Sequence, residues 1–461
     1  MERTGAQVVQ LIVSIVLARI LEPTVYGTVA LMNVFINILN VLLNCNLGTA
    51  LIQKKNADNI DFSTVFYAQI VFGIFLYLLL FVAAPFIANF YNIPEMSDML
   101  RVAGLVLIVS SIRNIQNSVV SKTMQFKLFF VATSVGTIFS AFIGIGMAIA
   151  GFGAWALIVQ NLSNNIIDTI VLWFIVKWRP IKAFSFKRLK GLFSYSWKLI
   201  VSALLERAEG SLHSLIIGKK YSSVDLAQYN RGQSWPVIIV DNINASIDSV
   251  LLPVMSQAQD DVTTVKKMTR RSIKTSTYII APLMMGLAFV GTPLVRLILT
   301  EKWLPCVQFQ AIFCITYMFY PINTANLNAI KALGRSDIFL KLQIIKTIVG
   351  LVALIVTAPI SVMAMCYGVL FTGFASQIIN AWPNKKLMNY GYLEQLKDIL
   401  PGIILAVVMG CCIYPIQWIV LPDILILLIQ AIVGSAIYIG LSFLFKVESL
   451  KYLLSMLKRN R

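Results

Sequence analysis

The amino-acid sequence predicts an all-α integral membrane protein. Of the 461 residues, 58% are hydrophobic and 13% are charged, whereas a soluble domain carries about 45–50% apolar and about 25% charged residues. The mean hydropathy is +0.80. Apolar segments recur along the whole chain, and most approach the length of about 20 residues that a helix needs to cross a bilayer. The sequence therefore predicts about 14 transmembrane helices and no large soluble domain.

These apolar segments are separated by short polar connections. They comprise residues 5–21, 28–52, 65–90, 99–119, 129–150, 153–177, 194–217, 236–257, 274–298, 306–330, 338–358, 360–382, 398–421 and 424–446.

The net charge of +18 indicates the topology of the chain in the membrane. With the N-terminus in the cytoplasm, 28 of the 38 Lys and Arg residues lie in cytoplasmic connections or in the C-terminal tail, and only about six lie on the opposite side. Positively charged connections stay in the cytoplasm, so both termini are predicted to be cytoplasmic. On a soluble chain the same charge would suggest nucleic-acid binding, and no nucleic-acid partner is expected here.

A weak internal repeat predicts two lobes. Glu22 and Tyr26 follow the first segment with the same spacing that Asp225 and Tyr229 have after the seventh, at an offset of 203 residues. The eighth to twelfth segments match the second to sixth at about this offset. Parallel repeats of this kind are known in transporters. The predicted divisions are a six-helix lobe at 1–180, a second at 181–390, two additional helices at 391–446 and a basic tail at 447–461.

The second segment carries four asparagines on one helical face. Asn33, Asn37, Asn40 and Asn44 follow the spacing i, i+4, i+7, i+11. An amide in hydrocarbon requires hydrogen-bond partners. These partners are either a water-filled, ligand-binding cavity or other helices of the bundle, and the length of the stripe favours the cavity.

Other segments also carry polar residues within the membrane. Buried charges are costly in a bilayer and are typical of functional sites. His213, the only histidine, is either a structural hydrogen-bonding group or a proton-coupling group. The candidate substrate-cavity residues are Asn33, Asn37, Asn40, Asn44, Arg113, Asn117, Asn161, Asn165, Arg207, Asn244, Asn323 and Asn326, and the candidate ion-coupling residues are Asp168, Glu206, Asp241 and Asp248.

Known catalytic and nucleotide-binding motifs are absent from the sequence. The chain has no GxxxxGK[ST] loop, no HExxH or GxSxG motif and no Cys/His metal-binding spacing. The six cysteines lie mostly in apolar runs and are interpreted as small core residues. The sequence predicts a transporter without enzymatic activity, metal or cofactor.

Several short motifs carry a resemblance to a known family. They are Leu17–Gly27 (LARILEPTVYG), Gly48–Gln53, the QNS that begins at Gln116, Lys122–Lys127, Ala227–Asn230 and Pro253–Ser256. Together they resemble Wzx-type polysaccharide flippases of the multidrug/oligosaccharidyl-lipid/polysaccharide exporter superfamily. The resemblance is to the branch that exports colanic-acid-like polysaccharides and teichuronic acid. It covers the chain to about residue 390. Members usually have a basic, aromatic stretch before the first helix, and here that helix begins within a few residues of Met1.

The resemblance implies a function and a location. A flippase of this kind moves an undecaprenyl-diphosphate-linked oligosaccharide outward across the bacterial cytoplasmic membrane by alternating access, driven by an ion gradient. The implied partners are that substrate, membrane lipids, a polysaccharide polymerase and glycosyltransferases. The amide-rich stripes also suit a sugar, which presents many hydroxyl groups. A multidrug exporter of the same superfamily and a polysaccharide polymerase are the alternatives.

Overall fold

The computed structural model describes the backbone of residues 2–44, 47–54, 57–125 and 127–459. Side chains are described over the same ranges, apart from 2–8, 49, 53, 194–199, 201–203, 205, 206, 208, 209, 249, 336 and 456–459. Glu206, one of the candidate ion-coupling residues, lies outside the described side chains.

The described chain is built from α-helices joined by short connections. Within the described residues, each of the fourteen apolar segments predicted from the sequence is mainly helical, and several of them consist of two consecutive helices. The helices up to residue 220 are α1 (Glu2–Ile20), α2 (Pro23–Asn44), α3 (Leu47–Gln53), α4 (Asn59–Tyr91), α5 (Met96–Ala103), α6 (Leu105–Lys122), α7 (Lys127–Ile149), α8 (Ala154–Ile175) and α9 (Phe186–Lys220).

The remaining helices begin at Ser223. Short 3₁₀ helices cover Glu301–Trp303 and Tyr414–Trp418. The α-helices are α10 (Ser223–Gln257), α11 (Val262–Phe289), α12 (Gly291–Leu299), α13 (Cys306–Met318), α14 (Tyr320–Ala332), α15 (Ser336–Thr357), α16 (Val362–Met388), α17 (Tyr392–Ile413), α18 (Asp423–Leu444) and α19 (Glu448–Arg459).

The membrane class predicted from composition is confirmed. Among the described residues, eight helices are long and apolar enough to cross a bilayer, and a ninth is formed if α11 and α12, which meet at a bend of 68°, count as one span. The other helices are shorter or more polar. The number of 14 crossings and the cytoplasmic position of both termini stay predictions.

The distribution of large apolar side chains fits a lipid environment. Phe86, Phe142 and Phe174 expose 71–82% of their surface, an arrangement that would be unfavourable in water but is normal against lipid tails. Small residues instead mediate the closest helix contacts. The lipid-facing surface therefore lies on the outer side of the packed helices.

The chain divides into two compact units, residues 1–227 and 228–461. Helix α9 packs against α2, α3 and α4 and therefore belongs to the first unit, whereas the sequence divided the chain at residue 180. The division of the chain into two lobes, an added helix pair and a tail remains a prediction. In the second unit α11 is central, with Ile280, Met284 and Met409 in its buried core.

Two helix caps recur at the offset of the sequence repeat. Asp58 caps α4 by accepting a hydrogen bond from the backbone N–H of Asp61, and Asp261 caps α11 by accepting from the backbone N–H groups of Thr263 and Thr264. Residue 261 lies 203 positions after residue 58. An N-cap aspartate satisfies N–H groups that the first helical turn leaves without partners, so the same device starts the corresponding helix in each unit.

Candidate functional site

The asparagine face of α2 borders a cavity inside the first unit. Helices α2, α6 and α8 enclose most of this cavity, which has a volume of about 290 Å³. Its polar lining residues are Asn33, Asn37, Asn40, Asn44, Ser110, Arg113, Asn114, Asn161 and Asn165. The sequence analysis had named seven of these nine residues as candidates for a substrate cavity.

The amides of α2 are largely available to a ligand. Asn44 accepts a hydrogen bond of 2.7 Å from Asn114 of α6, which is the helix-to-helix bonding that the sequence analysis had kept as an alternative. Among the described residues, Asn33, Asn37 and Asn40 make no side-chain hydrogen bond. Each neutral amide can both donate and accept hydrogen bonds, so this part of the stripe can bind hydroxyl-rich groups.

Arg113 of α6 and Asp168 of α8 form an ion pair beside the cavity. The Arg113 Nη1 atom lies 2.9 Å from the Asp168 Oδ2 atom, and the two side chains expose 23% and 13% of their surface. The Arg113 Nε and the Asp168 Oδ1 are buried and have no hydrogen-bond partner among the described residues. A guanidinium can bind an oxyanion through two parallel N–H groups, so this pair leaves hydrogen-bonding capacity unused.

The position of α8 depends on a close contact with α7. Ala132, Gly136, Ser140, Gly144 and Ala148 recur every four residues on the buried face of α7. A methyl group added at Gly144 would lie 2.6 Å from the Gln160 Cγ atom of α8, too close for ordinary packing.

The same seam continues toward the ion pair. A methyl group at Gly136 would lie 2.9 Å from the Asn164 Oδ1 atom. Small residues at this spacing allow membrane helices to approach closely. Asn164 therefore faces α7, and its neighbour Asn165 faces the cavity.

Two other candidate residues of the first unit lie away from the cavity lining. Asn117 is half-buried, about one turn after Asn114, and Arg207 is exposed on α9. His213, also on α9, is half-buried.

The candidate asparagines on α14 of the second unit, Asn323 and Asn326, are bonded to other amides. Asn326 of α14 donates to the Oε1 atom of Gln395 at 2.9 Å and accepts from Gln395 at 2.9 Å and from Asn384 at 2.7 Å. Asn380 donates to Asn323 at 2.9 Å. The side chains of Asn326, Asn380, Asn384 and Gln395 are at most 1% exposed. Asn323 and Asn326 thus join α14 to α16 and α17, and neither borders the cavity of the first unit.

The three remaining candidates lie on α10. Asp248 accepts a hydrogen bond of 2.6 Å from Asn328 of α14, Asp241 is exposed, and Asn244 is half-buried.

Four hydrogen-bonding residues of the second unit were not predicted from the sequence. These are Asn328, Asn380, Asn384 and Gln395. A signal was present, because Gln377, Asn380 and Asn384 follow the spacing i, i+3, i+7 on α16. No residue of this helix is among the candidates predicted from the sequence.

A charged cluster fixes the start of α4 against α9. Asp61 is fully buried and accepts from Lys54 at 2.6 Å, from Arg188 at 3.2 Å and from the backbone N–H of Asp58 at 3.2 Å. Arg188 also lies 2.5 Å from Asp58, and this hydrogen bond is the main reason that the pKa of Asp58 is lowered to about 2. The cluster therefore links the start of α4 to α9.

Comparisons with known proteins agree with this architecture. The chain is 25% identical to the teichuronic acid biosynthesis protein TuaB of Bacillus subtilis (strain 168), over 65% of the chain and 62% of TuaB. It is 21% identical to the lipopolysaccharide biosynthesis protein WzxC of Escherichia coli (strain K12), over 79% of the chain and 74% of WzxC. The alignment thus spans less than two thirds of the length of TuaB.

The fold is also found among solved structures. The lipid II flippase MurJ, in an inward closed conformation, superposes with a TM-score of 0.80 at 14% sequence identity, covering 96% of this chain and 97% of MurJ. This likeness establishes the fold. Residues 16–308 match the sequence pattern of the polysaccharide biosynthesis protein family, more than half of the chain, and the chain belongs to that family.

Proposed function

We propose that this protein is a flippase that moves an undecaprenyl-diphosphate-linked oligosaccharide repeat unit to the outer leaflet of the bacterial cytoplasmic membrane. The polar cavity of the first unit, with its unbonded α2 amides and the adjoining Arg113–Asp168 pair, is the observation that carries the proposal. Membership of the polysaccharide biosynthesis family supports it, as do relatives named for teichuronic acid and lipopolysaccharide biosynthesis.

The cavity suits both parts of such a substrate. Asn33, Asn37 and Asn40 offer donors and acceptors to sugar hydroxyl groups, and the Arg113 guanidinium offers N–H groups to a phosphate. A phosphate that binds Arg113 competes with Asp168 for the same cation. Asp168 is then released to accept a proton or a metal cation, which would couple substrate binding to an ion gradient. Glu206, Asp241 and Asp248 are the other candidates for coupling.

Transport in cells tests the role of the α2 amides. Asn37→Leu combined with Asn40→Leu should abolish transport while leaving membrane insertion intact, because neither amide bonds to another described residue. The expected readout is accumulation of the lipid-linked repeat on the inner leaflet and loss of one surface polysaccharide. The control is Asn242→Leu with Ser246→Leu on α10, two exposed polar residues whose side chains donate to backbone oxygens of the same helix. Undiminished transport by the double α2 variant would remove that helix from the substrate path.

Deletion of the gene separates this function from the alternatives. A flippase predicts loss of the surface polysaccharide together with inner-leaflet accumulation of its precursor. Drug sensitivity with intact polysaccharide would indicate a multidrug exporter, and shortening to single repeats would indicate a polymerase. A glycosyltransferase and a polymerase are the proposed protein partners, and their co-purification with the chain would test that part of the proposal.

A further inference from the structure

The first half of α11 presents four cations on one face. Lys267, Arg270, Arg271 and Lys274 follow the spacing i, i+3, i+4, i+7. Helix α19 lies against this face, where the Ser449 hydroxyl donates to the backbone oxygen of Lys274 at 3.3 Å. The two helices enclose a pocket of about 400 Å³ that these four cations line. We refer to it as the α11–α19 pocket.

The charges of the α11–α19 pocket are only partly balanced. Arg270 pairs with Asp398 at 2.7 Å, and Lys274 pairs with Glu448 and, at 3.6 Å, with Asp398. Lys267 and Arg271 are exposed and form no ion pair with a described carboxylate, although Lys267 interacts at longer range with Asp261. The lining of the pocket therefore carries two more positive charges than its paired carboxylates balance.

An aromatic ring orients one of these two cations. The Arg271 guanidinium carbon lies 3.7 Å from the centre of the Tyr452 ring. A guanidinium that stacks on a ring uses one of its faces, and its N–H groups remain available in the plane. Arg271 is thus positioned to bind a planar pair of oxygen atoms, as a phosphate presents them.

An apolar groove adjoins the pocket. The groove has a volume of about 850 Å³, shares Lys274, Glu448 and Ser449 with the pocket, and runs along α17 and α18 past Leu405 and Leu441. A free phosphate ion would use the basic pocket alone. A molecule with a phosphate head and a hydrocarbon chain would use the pocket and the groove together.

We propose that the α11–α19 pocket binds the phosphate of an anionic glycerophospholipid whose acyl chain lies in the adjoining groove. Helix α11 becomes apolar after Lys274, so its cations lie where the headgroup layer meets the helix. Basic pockets between helices at this depth are suited to anionic headgroups. This inference is independent of the proposed transport activity, because it concerns residues of the second unit that do not border the amide cavity.

Lipid-dependent stabilisation of the purified protein tests the proposal. The full chain in neutral detergent is titrated with phosphatidylglycerol, phosphatidylcholine, inorganic phosphate or undecaprenyl phosphate while its Tm is recorded. We expect phosphatidylglycerol alone to raise the Tm at low concentration. Lys267→Gln combined with Arg271→Gln should raise the phosphatidylglycerol concentration needed for a given rise in Tm by about thirtyfold, because each cation accounts for about a fivefold change.

A matched variant and a milder one complete the design. Lys385→Gln with Lys386→Gln removes the same charge from exposed positions at the end of α16 and should respond like the wild type. Lys267→Gln alone, which disturbs no described ion pair, should give an intermediate loss if the double variant folds poorly. Equal responses in the two double variants would overturn the site. An equal response to inorganic phosphate or to undecaprenyl phosphate would overturn the glycerophospholipid as its ligand.

Discussion

The two units contain similar asparagine-rich helices but use them differently. In the first unit, Asn33, Asn37 and Asn40 border a cavity and make no side-chain hydrogen bond among the described residues. In the second unit, Asn326 is fully buried and bonded to Asn384 and Gln395. An amide stripe therefore borders a cavity in one unit, where we propose that it binds substrate, and connects helices in the other. The difference lies in whether the amides of neighbouring helices lie within hydrogen-bonding distance.

The largest expected effect comes from breaking the closed network. Asn326→Leu removes the side-chain hydrogen bonds that Asn326 makes with two buried amides, Asn384 and Gln395, and a buried polar atom left unpaired, such as the Gln395 Oε1, costs about 1–3 kcal/mol. We expect a lower free energy of unfolding and a lower Tm in detergent. Asn37→Leu, the matched change in the first unit, should leave the Tm nearly unchanged. Similar Tm losses for both variants would contradict the distinction between the two units.

A smaller effect on stability, but a large one on transport, is expected at the ion pair. Asp168→Asn leaves Arg113 without its carboxylate, and Arg113→Gln leaves Asp168 without its cation. Removing one member of a buried pair costs more than removing both. We therefore expect the double variant Arg113→Gln/Asp168→Asn to unfold at a higher temperature than either single variant.

The same double variant distinguishes structural from functional roles of the pair. A coupling energy of about 0.5–3 kcal/mol between the two sites is typical of residues in direct contact. Transport should remain lost in the double variant even where stability recovers. Recovered transport would indicate that the pair only holds α6 against α8.

The smallest expected effect concerns the two repeated caps. The pKa of Asp58 is lowered from 3.8 to about 2, mainly by its hydrogen bond with Arg188, and that of Asp261 is lowered mainly by the Thr264 hydroxyl. A carboxyl whose pKa falls on folding stabilises the protein above its unfolded pKa and loses this contribution as the pH drops through its folded pKa. For Asp58 that window lies between about pH 4 and pH 2.

The effect of salt on acid unfolding distinguishes the two caps. Added salt screens the contact between Asp58 and the Arg188 cation more than the hydrogen bonds that the Asp261 carboxylate accepts from uncharged donors. Acid unfolding of Asp58→Asn and Asp261→Asn, measured at low and high salt, should show a larger salt-sensitive difference from the wild type for Asp58→Asn. Equal salt sensitivity would mean that Arg188 does not set the behaviour of the first cap.

Much of the helix pattern was predictable from sequence, because a bilayer imposes long apolar segments. The α2 stripe was also predictable, since four asparagines on one face of an apolar helix stand out. The network of the second unit was not. Asn326 meets Gln395, which lies 69 residues later on another helix, and periodicity within one helix carries no information about such partners. The breaks within segments, such as the 68° bend between α11 and α12, depend on packing in the same way.

The seam between α7 and α8 has a mechanical consequence. A methyl group at Gly136 or Gly144 would lie 2.9 Å or 2.6 Å from a side-chain atom of α8, so rotation or sliding of one helix against the other would bring larger side chains into this seam. The seam therefore favours movement of α7 and α8 together, with Asp168 carried on α8. If the cavity widens by displacement of α6 away from α8, the contact between Arg113 and Asp168 must lengthen, whereas displacement of α2 away from α6 must lengthen the hydrogen bond between Asn44 and Asn114.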